Sequence, residues 1–329
     1  MAATHDLPEM MVWLVAVAAA IALAGYLLAA NTRAYTRRVE AQFPPTGRFI
    51  DADGVRVHVR ESGMEGSPRV LLIHGASSNL LELWGPLADE LSPLHRVIAY
   101  DRPGLGYSGR AKRDAHTMAS QAKIAARVLE QTGGAALVVA HSLGAGVALR
   151  LALDFPRLVS GLVLIAPASH PYPGKPAWWA RLSATPVLGG VFTGLLVPWI
   201  APARSAASVA NNFWPAPVPV NYLEHGAVAL FFRPSAFRAN GYDVCASNVE
   251  FGAQQPRYAE LYTPAVVVTA EKDRIVSPKR HARALASDLP AAELVIAPDT
   301  GHMPHRLRTD LVLAAIRRVN EMTAARAEG

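Results

Sequence analysis

The sequence has little cysteine and little charge. A single cysteine, Cys245, stands among 329 residues. No disulfide can therefore form within the chain, and zinc sites built from paired cysteines are excluded. Cys245 reads as a small packed residue rather than a nucleophile. Charged residues make up only 18%, and the net charge of +6 is carried mostly by scattered arginines without an extended basic run. That distribution describes a solvated surface and gives nucleic-acid binding no support. Internal repeats and low-complexity tracts are also missing, which removes solenoids and disordered arrays. What remains is a chain 51% apolar, enough to fold around a core. Its length suits one large α/β domain with an insertion, or two small domains.

The longest apolar run is Met10 to Ala30, and no charge falls between Glu9 and Arg33. A helix of roughly 20 apolar residues crosses a hydrocarbon core of about 30 Å. Trp13 and Tyr26 lie near its ends, where aromatic rings favour the interface. A cleaved signal peptide needs a basic leader and a shorter apolar stretch. The leader here holds Asp6 and Glu9 but no lysine or arginine. The expectation is an uncleaved, single-pass anchor: residues 1–9 a tail, 10–30 a transmembrane helix, 31–47 a linker ending in the Pro/Gly-containing Gln42 to Gly47. Arg33, Arg37 and Arg38 follow the apolar run, so the positive-inside rule predicts an outside amino terminus and a cytoplasmic main domain.

From Arg48 onwards short apolar strands alternate with helical patterns, which signals a parallel sheet covered on both faces. Strands are expected at Val55 to Arg60, Arg69 to Gly75 (ending at a turn), His95 to Asp101, Ala136 to Ala140, Leu162 to Pro167, Ala265 to Asp273 and Glu293 to Ala297. Helices are expected at Ser78 to Leu91, Thr117 to Gln131, Pro278 to Leu289 and Asp310 to about Ala325, the second stopped by Gly133 and Gly134. Between Ser169 and Tyr262 the alternation breaks into a Pro-, Trp-, Phe- and Ala-rich block without a clear strand. The fold class read from this is α/β. Residues 48–168 and 263–329 form its core, and 169–262 an inserted cap over the strand ends.

The chemistry concentrates where strands end. Ala140-His-Ser-Leu-Gly144 closes one apolar strand and opens a helix-compatible run. A strand, a tight turn carrying serine and a helix form the arrangement that displays a nucleophile at a sheet edge, with small residues needed beside the strained serine. Serine attacks only when a base takes its proton, and the base needs an acid to orient it and balance its charge. Asp273 sits at the end of the run Ala265 to Asp273, and His302 follows the last strand. The order Ser142, Asp273, His302 fits three loops on one sheet edge. His305 and Asp299 are the nearest alternatives as base and acid. Asp101 precedes the serine turn and reads as structural, shaping the turn through Pro103, Gly104 and Gly106. The oxyanion of a transition state needs rigid N–H donors. Leu143, after the nucleophile, supplies one; Ala76, in His74-Gly75-Ala76, is chosen for the other, with His74 an orienting residue.

These residues resemble the α/β-hydrolase superfamily, in its helical-cap branch with a serine nucleophile of esterase and lipase type. The resemblance runs from about Ile50 to Ala325 on His74-Gly75, Asp101 to Ser108, Ala140 to Gly144, Asp273 and Gly301-His302. It implies an eight-stranded, mostly parallel sheet, a cap after the sixth strand, and neither cofactor nor metal. Two departures exist. Ala140 stands where glycine is usual, and Asp101-Arg-Pro-Gly104 replaces the common Asp-x-Arg-Gly. Epoxide hydrolases and haloalkane dehalogenases of similar fold carry an aspartate at the position of Ser142, so the serine favours an acyl-enzyme route to carboxylic ester hydrolysis.

Within the cap, Trp178 and Trp179 are candidate substrate-binding residues. The uncharged stretch Leu182 to Ala203 holds three prolines and three glycines, which argues against a second membrane span. Anchor and apolar cap together suggest a long-chain ester of monoacylglycerol type, taken at a membrane surface. Two other functions compete. Hydrolysis of a C–C bond in a dienoate would require an inward cap arginine such as Arg181, Arg233 or Arg238 to hold a carboxylate. A non-catalytic accessory protein would merely retain the triad residues.

Overall fold

The computed structural model describes residues 6–111 and 114–328; residues 1–5 of the expected tail lie outside them. Eight strands form one sheet: β1 (Arg48–Ala52), β2 (Val55–Ser62), β3 (Arg69–Ile73), β4 (Arg96–Tyr100), β5 (Ala136–His141), β6 (Val159–Ile165), β7 (Ala265–Ala270) and β8 (Ala292–Ala297). Their order is β1-β2-β4-β3-β5-β6-β7-β8. Pairing is antiparallel at β1–β2 and β2–β4 and parallel at every other edge. The central strands β5 and β7 are buried along their whole length. Strands covered on both faces read as continuous apolar runs for that reason.

The two faces bury different side chains of the same strands. Leu71, Ile73, Val138, Ala140, Leu164 and Val267 face the helices α3 (Met118–Gln131) and α4 (Leu143–Asp154). Val70, Leu72, Val139, Val163 and Val266 face α2 (Leu81–Leu91) and the last helix. Helix α3 starts where Thr117 caps it, accepting a hydrogen bond from Ser120 N–H. Helix α2 begins three residues later than the pattern suggests. Leu80 N–H is drawn instead to Asp101 Oδ1, and the Asn79 side chain donates to Gly226 O.

The cap occupies the chain between β6 and β7. Its main helices are α5 (Trp178–Ala184), α6 (Leu188–Phe213) and α7 (Pro234–Gln254). Helices α5 and α6 meet at 114°, so the apolar stretch through Pro186 bends rather than running straight. The closing helix α8 spans Thr309–Glu328.

The amino-terminal helix α1 runs unbroken over Asp6–Gln42. The linker expected at 31–47 is thus helical to Gln42, because neither proline nor glycine interrupts the chain between Gly25 and Pro44. By length and composition this helix could cross a membrane. Met10, Trp13, Val15 and Ile21 are exposed, whereas Tyr35 and Val39 are buried with Val197, Leu230, Phe232 and Phe237 of the cap. Glu40 pairs with Arg233 Nη1 at 2.6 Å.

Candidate active site

Ser142 stands between β5 and α4 at φ 52° and ψ −122°. A side chain is disfavoured there, at a cost of about 1–3 kcal/mol that the surrounding fold must hold in place. Gly144 explains the neighbouring requirement: a β-carbon there would stand 2.5 Å from His74 O and 2.6 Å from Ile73 O. Helix and strand can approach this closely only over glycine. Ala140 is fully buried in the sheet and packs without a clash that would demand glycine.

The structure brings Ser142, His302 and Asp273 into one hydrogen-bonded chain. Ser142 Oγ lies 3.0 Å from His302 Nε2, and His302 Nδ1 lies 2.7 Å from Asp273 Oδ2. With the serine hydroxyl donating, the free lone pair of Nε2 faces it and Nδ1–H points at the carboxylate. Asp273 Oδ1 also accepts from Ile275 N–H at 2.7 Å and Val276 N–H at 2.9 Å. Burial works against the Asp273 charge, but His302 and these N–H donors outweigh it and hold the carboxyl below its ordinary value. The competing residues are elsewhere: Asp299 is exposed, its carboxylate 4.0 Å from Lys272 Nζ. His305 is buried without a hydrogen-bond partner.

The loop after β3 lies against Ser142. A β-carbon on Gly75 would stand 3.1 Å from Ser142 Cβ. Gly75 N–H donates to Glu82 Oε1 and Ser77 N–H to Asn240 Oδ1; Ala76 N–H, between them, takes part in neither bond. Leu143 opens α4, where the first N–H groups lack intrahelical acceptors and the helix dipole favours an anion. His74 Nε2 accepts from Arg102 N–H and its Nδ1 faces Gly75 O, an orienting position. Burial pushes His74 down to about 4, so it is neutral at pH 7. Asp101 accepts from Leu80 and Tyr107 N–H groups and pairs with His58, the turn-holding role read from sequence.

The cap holds a half-open cavity of about 450 Å³. Trp178, Trp179, Phe192, Phe231 and Phe237 line it, Ser77 of the loop beside Ala76 forms part of its floor, and Arg204 supplies a charge. The two tryptophans singled out in the sequence therefore sit on its wall. Arg181, Arg233 and Arg238 are not among its lining residues. Arg233 donates instead to Glu40, Gly106 O and Leu230 O. Arg238 donates to Thr185 O and the Tyr242 hydroxyl.

Several residues of the site escaped sequence reasoning. Arg102 is wholly buried and ties the cap to the core, donating to Asp243 of α7, Gln121, His74 O and Gly75 O. Glu82 and His141 form a second buried pair beside the triad. A polar residue ending the fully buried run Ala136–His141 was the available signal for the latter. No sequence pattern announced the former.

A family model for the alpha/beta hydrolase fold matches residues 68–308. The chain belongs to the α/β-hydrolase family, and by that relationship it is a hydrolase. A 2-hydroxymuconate semialdehyde hydrolase of Pseudomonas putida is 30% identical over 79% of this chain and 89% of its own length. The dihydrolipoyllysine-residue acetyltransferase component of an acetoin cleaving system from Cupriavidus necator is 40% identical, but over only 36% of this chain and 32% of its own length. Among solved structures, a membrane phospholipase A superposes with a TM-score of 0.62 at 20% identity, covering 98% of this chain and 99% of its own. At that identity the likeness is one of fold.

Proposed function

We propose that this protein is a membrane-anchored serine hydrolase that cleaves carboxylic esters of lipid-like substrates through an acyl-enzyme. The observation that carries the reading is the Ser142–His302–Asp273 chain; an aromatic cap cavity of about 450 Å³ that reaches Ser77, on the loop after β3, accompanies it. Ser142 Oγ attacks the ester carbonyl while His302 Nε2 takes its proton. Asp273 holds Nδ1–H and balances the imidazolium. The tetrahedral oxyanion accepts from Leu143 and Ala76 N–H groups, each worth on the order of 3 kcal/mol of barrier. His302 then returns the proton to the departing alcohol. Water, activated by the same histidine, attacks the acyl-Ser142 carbonyl, and the released serine recovers its proton.

The anchor and the cap support a lipid-like substrate. Helix α1 exposes a long apolar stretch, and the cap also exposes Val187, Leu188, Val191 and Trp199. Helix α6 supplies both part of that surface and the cavity residues Leu196, Val197 and Ile200. The match to a membrane phospholipase A over nearly the whole chain necessarily includes most of α1. We read the main domain as cytoplasmic from Arg33, Arg37 and Arg38; a fusion reporter that is active only outside would overturn that orientation. An ester panel of graded chain length tests the substrate class. Full-length protein in vesicles is expected to favour long chains, and removal of residues 1–40 to erase much of that preference. Equal rates at all lengths in both forms would contradict the lipid reading.

A second reading, C–C bond hydrolysis, is favoured by the Pseudomonas putida relative. Its carboxylate would fall to Arg204 on the cavity wall, since Arg181, Arg233 and Arg238 do not line it. A dienoate turned over faster than any ester would select it.

A further inference from the structure

We propose that Glu82 and His141 form a buried carboxylate–imidazolium clamp that positions the nucleophile turn, the oxyanion loop and the catalytic-histidine loop as one unit. The inference rests on the reading of Ser142 as the nucleophile.

The clamp is defined by three contacts. His141 Nδ1 lies 2.6 Å from Glu82 Oε1, His141 Nε2 lies 2.9 Å from His302 O, and Gly75 N–H donates to Glu82 Oε1 at 3.0 Å. A backbone carbonyl can only accept. His141 Nε2 must therefore carry a proton and donate to the His302 carbonyl. Nδ1 then either accepts from a protonated Glu82 carboxyl, which leaves a neutral pair, or donates to the carboxylate as part of an imidazolium, since a neutral imidazole carries only one N–H; the Glu82 carboxyl, held well below its ordinary value, selects the second. Beside an ionised Glu82, a neutral His141 would leave either the His302 carbonyl or the carboxylate without its donor in a buried site, which is costly.

The surroundings agree with a charge at this place. Burial works against it, but Glu82 and the His302 carbonyl outweigh burial, and His141 is raised above its ordinary value. Glu82, equally buried, is held well below its own by His141. His305 stacks 4.5 Å from His141, between ring centroids, with neither nitrogen bonded. Burial and then the His141 cation keep it neutral. The His302 ring is 4.7 Å away, and Asp273 acts on His141 from beyond it. His74, neutral, and Tyr222 and Arg306, which feel the Glu82 charge, complete the surroundings.

Each end of the clamp is fixed next to a reacting group. His141 directly precedes Ser142, Gly75 directly precedes Ala76, and the carbonyl gripped is that of His302 itself. Glu82 comes from α2, outside all three loops. The pair touches no substrate; it sets where the attacking oxygen, the base and one oxyanion donor stand relative to each other. A misplacement of about 1 Å in such an array costs on the order of 100-fold in rate.

Two measurements on the full chain in detergent test this. With ¹⁵N-labelled histidine, the ring signals that vanish in His141→Asn should show two N–H groups from pH 6 to 8. A single protonated nitrogen at pH 7 overturns the clamp, and this result does not depend on catalysis. In kinetics, Glu82→Gln keeps an oxygen for Gly75 but removes the charge. Its kcat on an ester should fall about 10- to 100-fold with KM changed less than about threefold, His141→Asn should behave alike, and the double variant should fall no further than the worse single one. Circular dichroism and melting curves confirm that the variants are folded; should they fail to fold, the wild-type spectrum decides. Folded variants with wild-type kcat overturn the proposal. So does a stoichiometric metal ion in the purified protein, which would make Glu82, His141 and His305 its ligands. A wild type that takes no fluorophosphonate and cleaves no ester defeats the hydrolase reading and the positioning role with it, while the ring spectrum still reports the charge.

Discussion

A β-carbon on Gly301, next to His302, the proposed catalytic base, would overlap the carbonyl oxygen of Trp214 and lie 2.9 Å from Asn212 O. Both oxygens are backbone atoms where α6 ends, so neither can swing aside. Gly301→Ala should therefore shift His302 and lower kcat by about 10-fold or more, with a stability loss of about 1–3 kcal/mol; steady-state kinetics and thermal melting read the two effects. Ser142→Ala should remove esterase activity by about 10⁴-fold or more while leaving the melting temperature nearly unchanged, because a functional serine contributes little to packing. At this scale the sequence was most legible where chemistry demands a residue type at a strand end: Ser142, Asp273 and His302. It was least legible for Glu82, His141, Arg102 and Asp243. Those pairs span α2 to β5 and core to cap, and nothing local in sequence marks a partner so distant along the chain.

At the scale of elements, strands β2 to β8 and the core helices followed from apolar periodicity, whereas β1 was not foreseen; Thr117 caps the start of α3. Thr117→Ala should cost about 1 kcal/mol by removing the bond to Ser120 N–H, with kcat unaffected. Helix α1 outruns its apolar stretch, which ends at Ala30, and continues to Gln42. The chain beyond Ala30 is amphipathic, and its apolar residues Tyr35 and Val39 have a cap surface to pack on. The cap itself showed only as a break in alternation, since its helices α5 to α7 are fixed by contacts with each other and with α1. Val191 and Trp199 are exposed on this cap at 49% and 56% and lie outside the cavity wall. Changing both to serine should slow hydrolysis of vesicle-borne esters about 3- to 10-fold and leave a short, soluble ester unaffected. Equal losses on both substrates would mean that the surface serves folding and not lipid contact.

For the whole molecule, buried neutral histidines set the response to acid. His281, whose Nδ1 accepts from Ser169 and His170 N–H groups, is pushed down to about 4 by burial, as is His74. Unfolded histidine titrates near 6.5. Below that value the unfolded chain takes up protons that the folded chain refuses, so the stability from these sites is complete above about 6.5 and is lost as pH falls toward about 4. The melting temperature should drop from pH 7 to pH 5, and His281→Asn should flatten that slope. Activity, anchor and cap meet in one claim, that Ser142 is a nucleophile activated by His302. Intact-mass and peptide mass spectrometry of the full chain after fluorophosphonate treatment tests it most directly. The account predicts one adduct per chain, on the peptide containing Ser142, lost in Ser142→Ala and formed far more slowly in His302→Ala. An unmodified Ser142, or an adduct that persists unchanged in Ser142→Ala, would contradict it.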